Sequence, residues 1–173
     1  FLFFIFFISY CLLLSISQKN KKEYFKNLIL ILFIGLGLSA PFWLPALLES
    51  KYVTGLQIFD LKQHFPEIYQ LAIPSWGYGF SGKEIQNQMS FQIGVVNILA
   101  VLVSLIVLVK NKKNRGLLIF FIVWFFATIF LMTPYSSWFW DNIPFLNYFQ
   151  FPWRLLSLTI LIAAFLGGSI VSV

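Results

Sequence analysis

The sequence predicts an all-α fold, a polytopic integral membrane helical bundle of about five transmembrane helices. Three observations carry that expectation: five long apolar runs, the exclusion of charge from every one of them, and the alternation of basic loops with cation-poor ones. The runs cover residues 1–16, 28–48, 91–109, 117–132 and 155–173, and none contains Asp, Glu, Lys, Arg or His. All 12 basic and 6 acidic residues, and the lone His64, fall between them. A helix of a soluble domain buries one stripe and keeps charges on the other face. A helix that is apolar all round for roughly 20 residues has hydrocarbon as its solvent. Composition agrees: 60% of residues are hydrophobic and 10% charged, against roughly 25% charged in ordinary globular domains.

The first run (1–16) has no basic leader and no small-residue cleavage site, so it does not read as a signal peptide. Its length corresponds to a rise of about 24 Å, short of the roughly 30 Å of hydrocarbon. With no initiating Met, and with apolar runs at both ends, the sequence reads as an internal fragment of a larger polytopic protein. The other spans of that protein are then partners of this chain. Cys11 stands alone in its span and allows no internal disulfide.

The loop that follows (17–27, SQKNKKEYFKN) carries Lys19, Lys21, Lys22 and Lys26 against Glu23 alone. The loop 110–116 (KNKKNRG) carries Lys110, Lys112, Lys113 and Arg115 and no acid. The alternate connections, 49–90 and 133–154, hold only Lys51, Lys62, Lys83 and Arg154 against five of the acids. Short loops rich in Lys and Arg stay in the cytoplasm. The expected topology therefore puts both basic loops inside and both longer loops outside. That distribution, and not nucleic-acid binding, accounts for the net charge of +6.

The second run contains Gly35, Gly37, Pro41 and Pro45. Pro41 cannot donate to the Gly37 carbonyl, so a kink is expected near the outer end. Such a kink either shapes packing alone or opens a cavity toward the outer leaflet. In the outer loop 49–90, Leu61, Phe65, Ile68, Tyr69 and Ala72 recur at helical spacing. One or two short interfacial helices are expected there, with polar residues facing out. Residues 74–82 (PSWGYGFSG) alternate glycines with aromatics, whose rings either anchor in the interface or stack on a ligand. The loop 133–154 holds Trp138, Trp140 and Trp153 with Tyr135 and Tyr148, a composition suited to an outer aromatic belt. Pro144 and Pro152 argue against a long helix there and for a folded-back hairpin. In the last run Gly167-Gly168 permits close helix approach without forming a GxxxG motif.

Ion-coupled carriers place ionisable groups within their helices. Here Gln92 and Asn97 are the strongest polar groups in any run, which weighs against a coupled carrier. The outer loops supply the candidates for chemistry: Glu49, Lys51, Asp60, His64, Glu67, Glu84, Asp141 and Arg154. No spacing among them matches a metal motif, and no GxSxG, HExxH, Walker or dinucleotide pattern is present. Arg154 is the leading candidate. It follows Pro152-Trp153 and precedes an apolar helix on the cation-poor side, where a guanidinium can grip a phosphate in bidentate fashion. The competing reading is a snorkelling arginine that marks a helix end. Glu49 and Lys51 are expected at the same leaflet.

The segment FWLPALLESKY (42–52) resembles the outer end of a helix in large bacterial polytopic membrane proteins labelled 6-pyruvoyl-tetrahydropterin synthase-related. Those proteins resemble GT-C-type glycosyltransferases. FLNYFQFPWRLL (145–156) is similar to a second stretch of that family, an aromatic-Pro-Trp-Arg run opening a helix. PSWGYG (74–79) and QIGVVN (92–97) fit the same layout, so the likeness spans roughly residues 40–156. The resemblance implies a membrane-embedded protein that takes a sugar from a polyprenyl-phosphate donor on the outer face. It also implies a catalytic carboxylate, base or metal ligand, in a first outer loop that would precede this chain. A divalent cation enters only through that resemblance, and no other cofactor is evident. The carried-over roles reach Glu49 and Arg154, as ligand contacts.

The expected function is handling of a lipid-linked glycosyl group. Arg154 would hold the lipid phosphate, and Trp76, Tyr78 and Trp138 would stack on sugar, with Lys51, His64 and Asp141 as further contacts. A non-enzymatic flippase-like or envelope-assembly protein is the alternative. Bilayer lipid is an expected partner in either case, and a bacterial plasma membrane the expected location.

Overall fold

The computed structural model of the chain describes residues 2–52, 61–79, 81, 89–110, 115–143, 146 and 149–170. The regular structure is helical: α1 (Leu2–Ile16), α2 (Lys21–Glu49), α3 (Ile68–Ala72), α4 (Val95–Lys110), α5 (Arg115–Met132), α6 (Ser137–Asn142) and α7 (Leu156–Ser169). Among the described residues three helical stretches are long and apolar enough to cross a membrane: Lys21–Glu49, Arg115–Met132, and Pro152–Ser169, which joins a leading 3₁₀ turn to α7. The other two apolar runs give shorter helices, the 15-residue α1 and the 16-residue α4. The chain divides into two compact units, parted between Ile58 and Phe59. Parts of loops 49–90 and 133–154, with Asp60, Lys83, Glu84, Pro144 and Tyr148, lie outside the described residues.

In the first unit, α2 starts seven residues before its apolar run. Asn20 provides the start signal, because its Oδ1 accepts the Glu23 N–H (3.3 Å) and its Nδ2 donates to the Glu23 carboxylate (2.9 Å). The first bond satisfies an orphan N–H of the first turn, and the second ties the two side chains together. Much of the expected loop 17–27 is therefore helix. The Tyr24 hydroxyl donates to the Cys11 carbonyl (2.8 Å), tying the two helices of this hairpin. Pro41 and Pro45 do not end α2. The Trp43 indole N–H instead reaches back to the Leu36 carbonyl (2.9 Å), and the Ser39 hydroxyl lies 2.9 Å from the Gly35 carbonyl. Both bonds end on carbonyls in the turn before Pro41; the carbonyls that Pro41 and Pro45 leave without a backbone donor are those of Gly37 and Pro41.

In the second unit α7 packs against both α4 and α5. Leu158, Thr159, Ile162, Ala163 and Leu166 of α7 are fully buried. Phe121 of α5 stacks on Phe165 with ring centres 3.8 Å apart. A Cβ added at Gly167 would lie 3.3 Å from the Ala100 Cβ, so the glycine is what lets α7 approach α4. Gly168 faces open space. The Thr159 and Thr128 hydroxyls meet at 2.9 Å between α7 and α5, while each also lies within reach of a carbonyl of its own helix.

Three expectations are corrected here. The run 91–109 is helical only from Val95, because Gly94 takes φ +91°, the left-handed region, and the Ile93 N–H is diverted to the Leu71 carbonyl (2.9 Å). The one or two short helices expected between Leu61 and Ala72 are a 3₁₀ turn (Leu61–His64) and α3, parted at Pro66, but their polar residues do not all face out. Phe65, Gln70 and Leu71 are consequently buried, whereas Ile68 and Tyr69 are exposed. Trp140 does not belong to a surface belt. It is buried, with its indole N–H on the Leu131 carbonyl (3.0 Å).

An apolar cavity of about 250 Å³ opens among α3, α4 and α5, lined by Ile68, Leu71, Ile98, Leu102, Phe125 and Ile129 among others.

Candidate ligand site at the start of α7

The residue before a proline is steered out of the α region. Phe151, before Pro152, is accordingly extended (φ −136°, ψ 125°), and Pro152 opens the 3₁₀ turn Pro152–Leu155. Proline suits this first helical position, where its missing N–H would lack a partner anyway. Just upstream, Gln150 has φ +61°, and the Phe151 N–H donates to the Phe149 carbonyl two residues back (2.6 Å). That bond closes a tight three-residue turn. The folded-back hairpin expected from Pro144 and Pro152 runs through residues 144, 145, 147 and 148, which lie outside the described residues.

The turn presents the Phe151 ring as a hub. Trp153 stacks on it (centres 5.4 Å apart, planes 20° apart), and His64 meets it edge to face (5.0 Å, 86°). The Arg154 guanidinium lies over the same ring, 5.5 Å from its centre. Trp153 also contacts Phe91 (6.0 Å). Alongside, Trp140 meets Phe65 (5.9 Å) and Phe149 (6.3 Å), which anchors α6 and the His64 turn to the same layer. Edge-to-face and offset aromatic pairs stabilise by about 0.5–1.5 kcal/mol each beyond their buried area. The cluster thus holds its two cation-forming members on a stiff base.

His64 Nδ1 lies 2.9 Å from the Ser81 carbonyl oxygen and 2.6 Å from its hydroxyl oxygen. A carbonyl only accepts, so the hydrogen is assigned to Nδ1 and the basic lone pair to Nε2. Arg154 is solvent-exposed, and an exposed cation–π contact is worth about 0.5–1 kcal/mol. That is enough to bias the side chain without hiding its donors. Trp153 Nε1 is buried and has no hydrogen-bond partner among the described residues. A buried indole N–H normally finds a partner.

Of the expected site residues, the structure brings His64 and Arg154 to one ring. Trp138 and Asp141 are exposed on α6, on either side of the buried Trp140. Trp76 and Tyr78 stand almost wholly exposed in the segment after α3. Glu49 ends α2, and Lys51 lies in the following 3₁₀ turn, its ammonium 5.0 Å from the Tyr52 ring centre; both belong to the first unit. Glu67 serves the start of α3, where its N–H donates to Gln70 Oε1 (2.8 Å). Among the described residues no group of three or more His, Cys, Asp and Glu is placed to hold a metal ion.

Phe151, Gln150 and Ser81 are members of this cluster that the sequence pattern does not single out. The density of aromatics in residues 148–153 is the available signal for the hub. Nothing local marks Ser81 as a partner of His64, 17 positions away. Comparison with protein-family models, with curated proteins and with solved structures gave no match.

Proposed function

We propose that this chain belongs to a membrane-embedded, glycosyltransferase-like protein that handles a polyprenyl-phosphate-linked sugar at the outer leaflet. All five apolar helices cross the bilayer in this reading, with the basic turns inside and the α7 entrance outside. The observation that carries the proposal is the convergence of Arg154 and His64 on the Phe151 ring, at the mouth of a helical stretch long enough to span. A guanidinium there meets the lipid phosphate level and donates two parallel hydrogen bonds to it. His64, held by Nδ1 against Ser81, stands beside Arg154 on the same ring. Exposed aromatic rings (Trp76, Tyr78 and Trp138) suit the apolar faces of a sugar.

The test is binding of a polyprenyl-phosphate sugar by the full-length protein carrying Arg154→Ala or Arg154→Lys. Charge-assisted hydrogen bonds contribute about 1.5–3 kcal/mol, so Arg154→Ala should weaken binding about tenfold or more, and Arg154→Lys less. Unchanged affinity in Arg154→Ala removes Arg154 from the site. Binding without sugar transfer, by a protein complete in its other spans, identifies the non-enzymatic alternative.

A further inference from the structure

One donor beside Arg154 has no use in the site as described so far. Trp153 keeps part of its ring at the surface, yet its Nε1 is covered and has no hydrogen-bond partner among the described residues. A buried N–H without an acceptor is an exception that needs a physical reason. Its neighbours in the turn are already committed. The Phe151 and Arg154 backbone N–H groups lie on the Phe149 and Phe151 carbonyls (2.6 and 3.2 Å), and Pro152 has no N–H.

The second observation is strain in the backbone that leads to this donor. Gln150 holds φ +61°, a conformation that burdens an L-residue and not a glycine. Outliers of this kind persist only where the surroundings over-determine them, and they gather at ligand clamps. Here the strained turn and the orphan N–H flank a single ring. Phe151 stacks on Trp153 (5.4 Å between centres) and carries the Arg154 guanidinium (5.5 Å). A shift of the Phe149–Phe151 turn therefore moves the Phe151 ring and the Trp153 ring stacked on it.

We infer that the Trp153 indole N–H is a second donor to the phosphate that Arg154 grips, covered in the free protein and presented when the Phe149–Phe151 turn shifts. The inference rests on the reading of Arg154 as a lipid-phosphate contact and adds a residue to that site. A phosphate oxygen accepts, and an indole N–H only donates, so the two are matched. The guanidinium supplies charge, and the indole supplies an uncharged, directional bond from a ring held in a stack.

The test is nuclear magnetic resonance of the full-length protein in detergent, with ¹⁵N at its indoles and the Trp153 signal assigned by its loss in Trp153→Phe. In the free protein the Trp153 N–H should resonate upfield of the Trp140 N–H, which lies on the Leu131 carbonyl (3.0 Å). Saturation with polyprenyl phosphate that carries no sugar should move the Trp153 signal downfield, toward that of Trp140. Polyprenol without phosphate should leave it in place. Trp153→Phe keeps an aromatic ring beside Phe151 and should weaken polyprenyl-phosphate binding about tenfold or more, as expected for one hydrogen bond to a charged group. A Trp153 signal already at the bonded position in the free protein, or one unmoved at saturation, overturns the inference. An equal shift with polyprenol, or with inorganic phosphate at the same concentration, overturns it too, because the donor would then not answer to a lipid phosphate. Binding that needs Arg154 while the Trp153 signal stays fixed sinks this inference alone. Binding indifferent to Arg154→Ala sinks the reading beneath it.

Discussion

His64 and Phe151, 87 positions apart, meet edge to face at 5.0 Å, and the ring that receives the histidine also carries the Arg154 guanidinium. The contact joins a 3₁₀ turn after residue 60 to the turn that opens α7, so one phenyl ring sets the spacing of two cation-forming groups. Phe151→Ala should therefore weaken polyprenyl-phosphate-sugar binding several-fold, since cation–π and aromatic pairs of this kind are each worth about 0.5–1.5 kcal/mol. Phe151→Tyr should leave binding close to that of the unmodified protein. Isothermal titration of both variants in detergent checks the pair.

Gln150 sits at φ +61°, a region that costs an L-residue about 1–2 kcal/mol and glycine little. Gln150→Gly should leave thermal stability unchanged or raise it slightly, and Gln150→Val should lower it. Thermal unfolding followed by circular dichroism tells them apart. A fall in both variants would mean that the Gln150 side chain, and not the backbone turn, matters.

The Thr128–Thr159 contact is buried between α5 and α7. A double-mutant cycle of Thr128→Val and Thr159→Val should give a coupling of about 0.6 kcal/mol, and no more than about 1.7, as for hydrogen bonds between membrane helices. Unfolding in mixed micelles provides the measurement.

Gly167 faces Ala100 with room for little more than hydrogen. Gly167→Leu should part α7 from α4 and destabilise the second unit. Gly167→Ala should cost much less, since a shift of a few tenths of an ångström relieves it, and Ala100→Gly should rescue it. Thermal unfolding of the three variants and the Gly167→Ala/Ala100→Gly pair supplies the comparison.

Helix positions are legible in the sequence because exclusion of charge over long runs leaves one physical solution, a helix with its backbone bonds satisfied internally. Helix ends are legible only where the sequence carries punctuation. Pro152 marks the entry to α7. The Asn20 cap is hidden among lysines that suggest a loop, and Gly94 is hidden because the apolar run flows through it. Arg154 stands out by position alone, as a cation at a helix mouth on the cation-poor side. Its relation to His64 is invisible in the sequence, because it depends on tertiary contacts through Phe151 and on Ser81. Trp140 misleads for a related reason: an indole suits an interface or a core equally well, and only packing decides.

Everything proposed for Arg154 depends on which side of the membrane it faces. With Cys11, the chain's one cysteine, replaced by alanine, single cysteines at Asp141 and at Lys22 can be probed in intact cells with a membrane-impermeant maleimide. Labelling of Asp141→Cys from outside, with Lys22→Cys reacting only after the membrane is opened, is the predicted result. External labelling of Lys22→Cys with Asp141→Cys protected would contradict the account.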